Sequence, residues 1–192
     1  AEDYQGILVH DHDITFYNYG TDHRECLAHV LRYLKDSMEN EASLTWNRRM
    51  RELLQRMIHY RKEHTGEASL DAQTVAGFET EYQEILDKAK EEYKRNEPSP
   101  YYREGYNLYR RMQEYKTEHL LFLHDMRVPT TNNTAERCLR DYKRKQTFAM
   151  TFRSLESIEE LCHSKGVLLE VRKNNPNIYT AVMEIFNRRY GA

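Results

Sequence analysis

Carboxylate and imidazole side chains follow directly on a short apolar run near the start of the sequence. The run ILV (7–9) precedes four ionisable residues: His10, Asp11, His12 and Asp13. Both side-chain types ligate metal ions, and a short apolar run is typical of a strand. One interpretation is a metal site at the end of a strand, and the other is a polar turn. Asp13 favours the turn, and we interpret His10 and His12 as polar groups flanking it rather than as ligands.

A second group of polar residues lies in PTTNNTAER (129–137). Asn133 is a residue type that caps helices, and Glu136 follows three positions later, which is the spacing of a capping box. Asn132 adds a second amide, and five cations follow on the same predicted helix: Arg137, Arg140, Lys143, Arg144 and Lys145. A carboxylate at the start of a cationic helix suits a metal ion bound beside phosphates. Closure of the first helical turn is the competing interpretation of Glu136.

These stretches resemble the insertion-sequence transposases of the IS66 type. VPTTNNTAERCLR (128–140) resembles the family pattern P-x-x-N-N-x-A-E-R-x-L-R. GILVHDHDITFY (6–17) is similar to G-x-L-x-x-D-x-x-x-x-Y/F, with Asp11 at the position of the family's Asp. CLAH (26–29) resembles C-W-A-H, although Leu27 replaces the tryptophan, and KRKQTFAMTFRS (143–154) resembles the basic, aromatic continuation. The blocks occur along the chain in the family's order.

The resemblance implies a transposase of the DDE class, in which three carboxylates of an RNase H-like fold hold two magnesium or manganese ions. It assigns Asp11 as the second acid and Glu136 as the third, so both would be catalytic metal ligands. The family's first acid lies on an earlier strand, upstream of residue 1. Asp3 is not a convincing replacement, because it lies only eight positions before Asp11, at the other end of the same short predicted strand. We therefore expect this chain to be the C-terminal part of a transposase, inactive alone.

The resemblance also suggests roles for residues around these acids. Asn132 and Asn133 are candidates for positioning the site, as is His29, for which a place in a helix core is the alternative. The five cations of the predicted helix are candidate contacts to DNA phosphates, with ordinary surface charge as the alternative.

Composition favours a helical protein with one domain, or one domain that carries an insertion. Of 192 residues, 39% are hydrophobic and 31% are charged, and Gly (7) and Pro (4) are scarce. The net charge of −2 argues against a protein that coats nucleic acid generally. Residues 127–192 hold 12 Lys and Arg against 7 Asp and Glu, whereas residues 1–126 hold 17 against 24. The basic C-terminal third is either a phosphate-binding face or ordinary solvated surface.

Apolar periodicity predicts one short strand and a series of helices. The strand covers residues 4–10, and a loop or a turn with a short extended piece follows. Helices are expected at 24–39, with Asp22 near the start as a cap, at 43–63, ending at Gly66, and at 69–97, stopped by Pro98. Further helices are expected at 101–124, 133–145, 155–172 and 177–190, with an extended segment at 147–152.

The expected fold class is α+β, predominantly α-helical: a partial RNase H-like catalytic core with a large helical insertion. Residues 1–40 supply the strand with Asp11 and a helix. Residues 41–126 form the helical insertion, and residues 127–192 form the C-terminal helices of the core, which carry Glu136. The expected partner is DNA at the ends of an insertion sequence. Whether the chain forms a homo-oligomer is left open.

The expected location is the cytoplasm, without a membrane anchor. Three cysteines without paired spacing, Cys26, Cys138 and Cys162, fit a reducing compartment. The longest apolar runs fall well short of the roughly 18 residues of a membrane-spanning helix.

Two other function classes stay open. A helical metal-dependent phosphohydrolase would use separated imidazole and carboxylate ligands, and the chain offers the pair His124–Asp125 together with His23, His29 and His59. A non-catalytic helical module that binds DNA or protein is the second alternative. DNA binding that weakens steeply with salt would favour transposase ancestry over a protein-binding module.

Overall fold

The computed structural model describes residues 5–148, 154–174 and 177–190. Within these ranges the chain forms a two-stranded sheet and eight α-helices. The predicted α+β, predominantly helical class is therefore confirmed. The strands are β1 (Ile7–His10) and β2 (Asp22–Glu25), and the helices are α1 (Leu27–Asn40), α2 (Trp46–Glu63), α3 (Ala72–Arg95), α4 (Glu104–Glu114), α5 (Lys116–His124), α6 (Asn133–Phe148), α7 (Leu155–Asn174) and α8 (Ile178–Tyr190).

The two strands pair in parallel, with a register that runs from Ile7 opposite Asp22 to His10 opposite Glu25. A short 3₁₀ helix (Ile14–Asn18) lies in the connection between them. The strand predicted at 4–10 is confirmed at Ile7–His10, whereas the described residues 5 and 6 lie outside it, and β2 was not predicted as a strand. Asp22 was expected to cap the following helix, and this was wrong, because it is the first residue of β2 and Cys26 directly precedes α1.

The core is built from the apolar faces of the helices that follow the sheet. On α1 the buried residues recur at intervals of three and four, which places them on one side of the helix. The corresponding faces of α2 and α3 pack in the same cluster, and their fully buried members are Trp46, Met50, Leu53, Leu54, Met57, Tyr82, Ile85 and Ala89. These helices and the sheet therefore pack against one shared core.

Local signals explain where α2 and α3 begin and end. The carboxylate of Asp71 accepts a hydrogen bond from the Thr74 backbone N–H at 2.8 Å and thereby caps α3. Pro98 lies three residues beyond the end of α3. Gly66 follows α2 with a φ of 105°, a conformation that glycine adopts without steric cost. Both predicted helix ends are confirmed.

The helix expected at 101–124 is divided at Tyr115, which separates α4 from α5. Tyr115 has φ −106° and ψ 35°, outside the helical region. The break lets both segments bury apolar side chains in the core: Leu108, Tyr109 and Met112 from α4, and Leu120, Phe122 and Leu123 from α5. Periodicity alone did not predict the break, because both halves have helical spacing.

The chain divides into two compact units, residues 1–134 and residues 135–192. In the second unit α7 and α8 contact each other. The extended segment expected at 147–152 begins with two residues that end α6, and its remainder lies outside the described residues. Across the described part of the chain, every helix is too short or too polar to cross a membrane.

Candidate functional site

Asp11 lies directly beyond the carboxyl end of β1 and is exposed to solvent. The chain then turns sharply, because His12 has a φ of 64°, in the left-handed region. Asp13 caps the short 3₁₀ helix, since its carboxylate accepts hydrogen bonds from the backbone N–H and hydroxyl of Thr15 at 2.9 and 2.6 Å. These hydrogen bonds lower the pKa of Asp13. The predicted turn role of Asp13 is confirmed, and both Asp11 and Asp13 are exposed.

Three separate stretches of sequence meet at the end of β1. The backbone N–H of Cys26 donates to the carbonyl of His10 at 2.7 Å, and the N–H of Leu27 donates to the carbonyl of Thr130 at 3.3 Å. The N–H of Asn132 lies 3.5 Å from the buried sulfur of Cys26. The GILVHDHD, CLAH and PTTNN stretches, far apart in the sequence, are thus neighbours in the first unit.

The side chain of Arg24, a residue of β2, binds the backbone of the PTTNN stretch. Its side chain is fully buried, and Nη1 donates to the carbonyls of Glu25 at 2.7 Å and Thr130 at 3.0 Å. The guanidinium lies 4.9 Å from the ring centroid of Phe122, a cation–π distance. Burial lowers the pKa of Arg24 to about 10, so the group stays charged at neutral pH and holds both carbonyls.

Imidazole and phenol rings pack around the turn that carries Asp11. His10 is buried, and its ring centroid lies 4.8 Å from that of Tyr17 and 5.5 Å from that of His23. Burial, and then the nearby His23, lower the pKa of His10, and burial also lowers that of His12. The His12 backbone N–H donates to His10 Nδ1 at 3.2 Å, so that nitrogen is an acceptor. The two histidines thus pack beside the turn.

Glu25, a fully buried carboxylate that sequence reasoning missed, lies at the end of β2. His119 Nε2 lies 2.7 Å from Oε2, and Arg111 Nη2 lies 3.0 Å from Oε1. Burial alone would raise the pKa of Glu25, but the hydrogen bond from His119 and the charges of His119, Arg111 and His12 outweigh it and lower the pKa. No sequence signal pointed to this group, because His119 is 94 positions from Glu25.

The candidate positioning residues lie close to the same strand end. His29 is in the first turn of α1, partly exposed, and its ring stacks near Tyr33 with a centroid distance of 6.5 Å. Asn132 directly precedes α6, and Asn133 is its first residue. Their proposed roles stay predictions.

Glu136 lies in the first turn of α6 and belongs to the second unit, so its position is described within that unit alone. Its carboxylate is partly exposed and lies 3.7 Å from Arg140 Nη2, one helical turn away. Arg137, Lys143 and Arg144 are exposed on α6 as well. The side chain of Lys145 lies outside the described residues.

The two predicted metal-binding carboxylates are carried by different units, and the structure leaves their pairing as a prediction. In the described ranges, no group of three or more His, Cys, Asp or Glu side chains is arranged to hold a metal ion. Asp11 and Glu136 each present carboxylate oxygens to solvent. Such oxygens are the ligands that Mg²⁺ prefers, usually as one or two carboxylates completed by water and substrate phosphate. The donor chemistry of these two residues therefore fits Mg²⁺ or Mn²⁺.

Three of the residues offered by the phosphohydrolase alternative contact other side chains. His124 Nε2 lies 2.7 Å from Glu79, and Asp125 pairs with Arg127 at 2.6 Å, which lowers the pKa of Asp125 to about 2. His59 lies beside a glutamate of its own helix at 3.2 Å. These are contacts between surface side chains, and no observation favours that alternative.

Comparison with known proteins gave one match. The family model described as "Transposase IS66 family" matches residues 1–160. This range contains the whole first unit, α6 and the beginning of α7. Searches of curated proteins and of solved structures returned no match.

Proposed function

Because this chain belongs to the IS66 transposase family, we propose that the protein cleaves and joins DNA strands at the ends of an insertion sequence. The observation that carries the proposal is the meeting of three separate stretches at the carboxyl end of β1. Hydrogen bonds between His10 and Cys26 and between Leu27 and Thr130 bring these stretches beside the exposed Asp11. Grouping polar residues at a strand end is a common way to build a site.

In this proposal Asp11 and Glu136 hold the divalent metal, Mg²⁺ or Mn²⁺. When bound, two such ions activate water or a DNA 3′-hydroxyl and stabilise the leaving oxygen of an in-line displacement at phosphorus. Asp11 directly follows His10, the last residue of β1, which pairs with Glu25 of β2. Glu136 lies in the first turn of α6, and its carboxylate lies beside the guanidinium of Arg140, one turn further along the helix. Asn132, Asn133 and His29 would orient these groups.

The domain organisation that supports this chemistry is a core interrupted by helices. Residues 1–40 and 127–192 would form parts of an RNase H-like core, and residues 41–126 would form the inserted helical segment. The parallel pair of β1 and β2, followed by α1, is compatible with the edge of such a sheet. The helices α2 to α5 follow before the chain reaches the PTTNN stretch, which supports treating them as an insertion.

The exposed cations of α6 would bind the DNA backbone. Arg137, Arg140 and Arg144 recur at intervals of three and four, which places them on one side of the helix; Lys143 and Lys145 complete the basic set. Each phosphate contact that is lost lowers the slope of log affinity against log salt concentration by about one unit. The activity would take place in the cytoplasm, where the free Cys26 and Cys162 stay reduced.

The catalytic assignment is tested by Asp11→Asn and Glu136→Gln in the full-length protein. Each should lower the rate of strand cleavage with Mg²⁺ by about a thousandfold, because loss of one metal ligand removes several kcal/mol of transition-state stabilisation. Asp22→Asn, at the far end of the sheet, and Glu156→Gln, in the first turn of α7, are matched controls and should cleave normally. Full activity in either test variant would contradict the assignment.

A structural measurement tests the same assignment without activity. Crystals soaked with Mn²⁺ should show anomalous scattering at the Asp11 carboxylate, with Glu136 within reach of the same ion or of a second ion about 4 Å away. If anomalous scattering appears only at other positions, the proposed role of Asp11 and Glu136 as metal ligands is wrong.

DNA binding is tested by the double substitution Arg137→Ala/Arg140→Ala. The plot of log affinity against log salt should become shallower by about two units. Lys35→Ala/Lys94→Ala removes two exposed cations from the first unit and is the control of equal charge. If only the α6 substitutions weaken DNA binding while Asp11 and Glu136 prove dispensable for any activity, the protein is a non-catalytic DNA-binding module.

A further inference from the structure

The turn that carries Asp11 has an unusual backbone. His12, the next residue, has a φ of 64°, and it is the one non-glycine residue with a positive φ in the described part of the chain. Side chains with a Cβ rarely adopt this conformation, which persists where the surroundings hold it in place. The direction of Asp11 therefore depends on whatever holds His12.

The ring of His12 is held by one residue of β2 and by one residue of the inserted segment. Its Nδ1 lies 3.5 Å from the Glu25 carboxylate. Its ring meets Tyr115, the residue between α4 and α5, edge-on at a centroid distance of 5.2 Å. Its own backbone N–H is bound by His10 Nδ1 at 3.2 Å. The turn is thus held at its backbone by β1 and at its side chain by groups outside β1.

Glu25 is in turn anchored directly by two helices and, through His119, by a third. His119 of α5 and Arg111 of α4 lie within 2.7 and 3.0 Å of its two oxygens. The other ring nitrogen of His119 lies 2.9 Å from the hydroxyl of Tyr82 on α3, which also donates to the Met112 carbonyl at 3.2 Å. Glu25, His119 and Tyr82 are all fully buried. This chain of contacts joins the helices α3, α4 and α5 to the turn.

A buried ionic network of this kind is not needed for stability as such, because well-packed apolar residues often serve equally well. What charged and directional contacts add is one defined arrangement of the groups that they join. Here the groups joined are the inserted helices at one end and the residue next to Asp11 at the other.

We infer that Glu25 and His12 are positioning residues that fix the direction of the Asp11 carboxylate and couple it to the inserted helices. The inference rests on the proposed role of Asp11 as a metal ligand. Glu25 acts through His12 and does not itself contact metal or DNA. A displacement of α4 or α5 would then change the geometry of the metal site, although neither helix contributes a ligand to it.

The test measures Mn²⁺ binding to the 192-residue chain by paramagnetic broadening of the amide signals of residues 10–13. His12→Gly removes the ring and leaves a residue that accepts the left-handed backbone, whereas His12→Ala removes the ring and keeps the steric cost. Both, and Glu25→Gln, should raise the Mn²⁺ concentration at half-broadening at least about fivefold, a shift that corresponds to about one kcal/mol of binding. Glu79→Gln alters another carboxylate–histidine pair at 2.7 Å, which contacts neither His12 nor Glu25, and should leave the midpoint unchanged.

The outcomes separate the inference from the proposed function. If Asp11→Asn abolishes the broadening but His12→Gly binds Mn²⁺ as the wild type does, the positioning role is overturned and the metal role of Asp11 survives. If Asp11→Asn leaves the broadening intact, both are overturned. Should Glu25→Gln fail to fold, His12→Gly decides the matter, because the glycine relieves backbone strain. In the full-length protein, the same variants should raise the Mg²⁺ concentration for half-maximal cleavage without changing the affinity for DNA.

Discussion

The two units of this protein use apolar residues in different ways. In the first unit the apolar faces of α1, α2 and α3 converge, and their side chains form one buried cluster. In the second unit α7 buries none of its residues, although it contains Leu155, Ile158, Val167, Leu168 and Leu169. Ala181 is the buried apolar residue of that unit among those described. Apolar content at helical spacing therefore predicts a helix, but a core also needs neighbouring elements that cover the apolar face.

The largest difference between the units should appear on truncating a core leucine of the first. Leu53→Ala removes a fully buried side chain of α2 and should lower the free energy of unfolding by about 3 kcal/mol, through lost burial and the cavity left behind. The chain contains one tryptophan, Trp46, buried in the same cluster, so its fluorescence during urea unfolding reports on this unit. A loss below about 1 kcal/mol would show that the cluster is loosely packed.

Glu25→Gln should have an effect of similar size for an electrostatic reason. It removes the carboxylate charge that Arg111 pairs with and that accepts the hydrogen bond of His119, at a cost of about 3 kcal/mol at neutral pH. Glu79→Gln breaks an exposed pair with His124 and should change stability by less than about 1 kcal/mol.

The effect of Glu25→Gln should also depend on pH. The pKa of Glu25 is lowered in the folded protein, mainly because the hydrogen bond and charge of His119 outweigh burial. The carboxylate therefore stabilises the fold above its unfolded pKa of about 4.3, and this contribution disappears as the pH falls through the lower folded value. The stability difference between wild type and variant should shrink below about pH 4.3; a constant difference would contradict the pairing.

A smaller effect is expected at Ser37, a buried hydroxyl on α1. It donates to the Glu41 carboxylate at 2.8 Å and accepts a hydrogen bond from the amide of the buried Asn47 at 3.1 Å. Ser37→Ala leaves that amide unpaired and should cost about 1–2 kcal/mol in the same fluorescence assay. Ser37→Thr keeps the hydroxyl and separates the lost hydrogen bond from any effect of packing.

The smallest effect should come from Leu168→Ala on α7. The side chain is 42% exposed, so its truncation should change the free energy of unfolding by less than about 0.5 kcal/mol. The free energy of unfolding is measured by following the helical circular dichroism signal, to which the helices of both units contribute. A loss close to that of Leu53→Ala would show that α7 is covered by another surface in solution, and the contrast between the units would disappear.

Much of the helical architecture was predictable from local signals. The apolar periodicity of α2 and α3, the cap at Asp71 and the termination near Gly66 depend on residues close together in the chain. The strand β2 was missed because DHRE contains no apolar alternation, and Arg24 and Glu25 are buried through contacts with distant carbonyls and cations. The break at Tyr115 was missed for a related reason, since it serves packing rather than local preference.

For the candidate site, the sequence by itself determined which residue types stand where: the acids Asp11 and Glu136, the amides before α6 and the cations along it. Their nature and short-range spacing need no knowledge of the fold. Only the tertiary structure decided which stretches meet beside Asp11 and that Glu25 is buried beneath the turn. These contacts join positions about a hundred residues apart, and folding brings such positions together through the packing of whole elements, which no local pattern encodes.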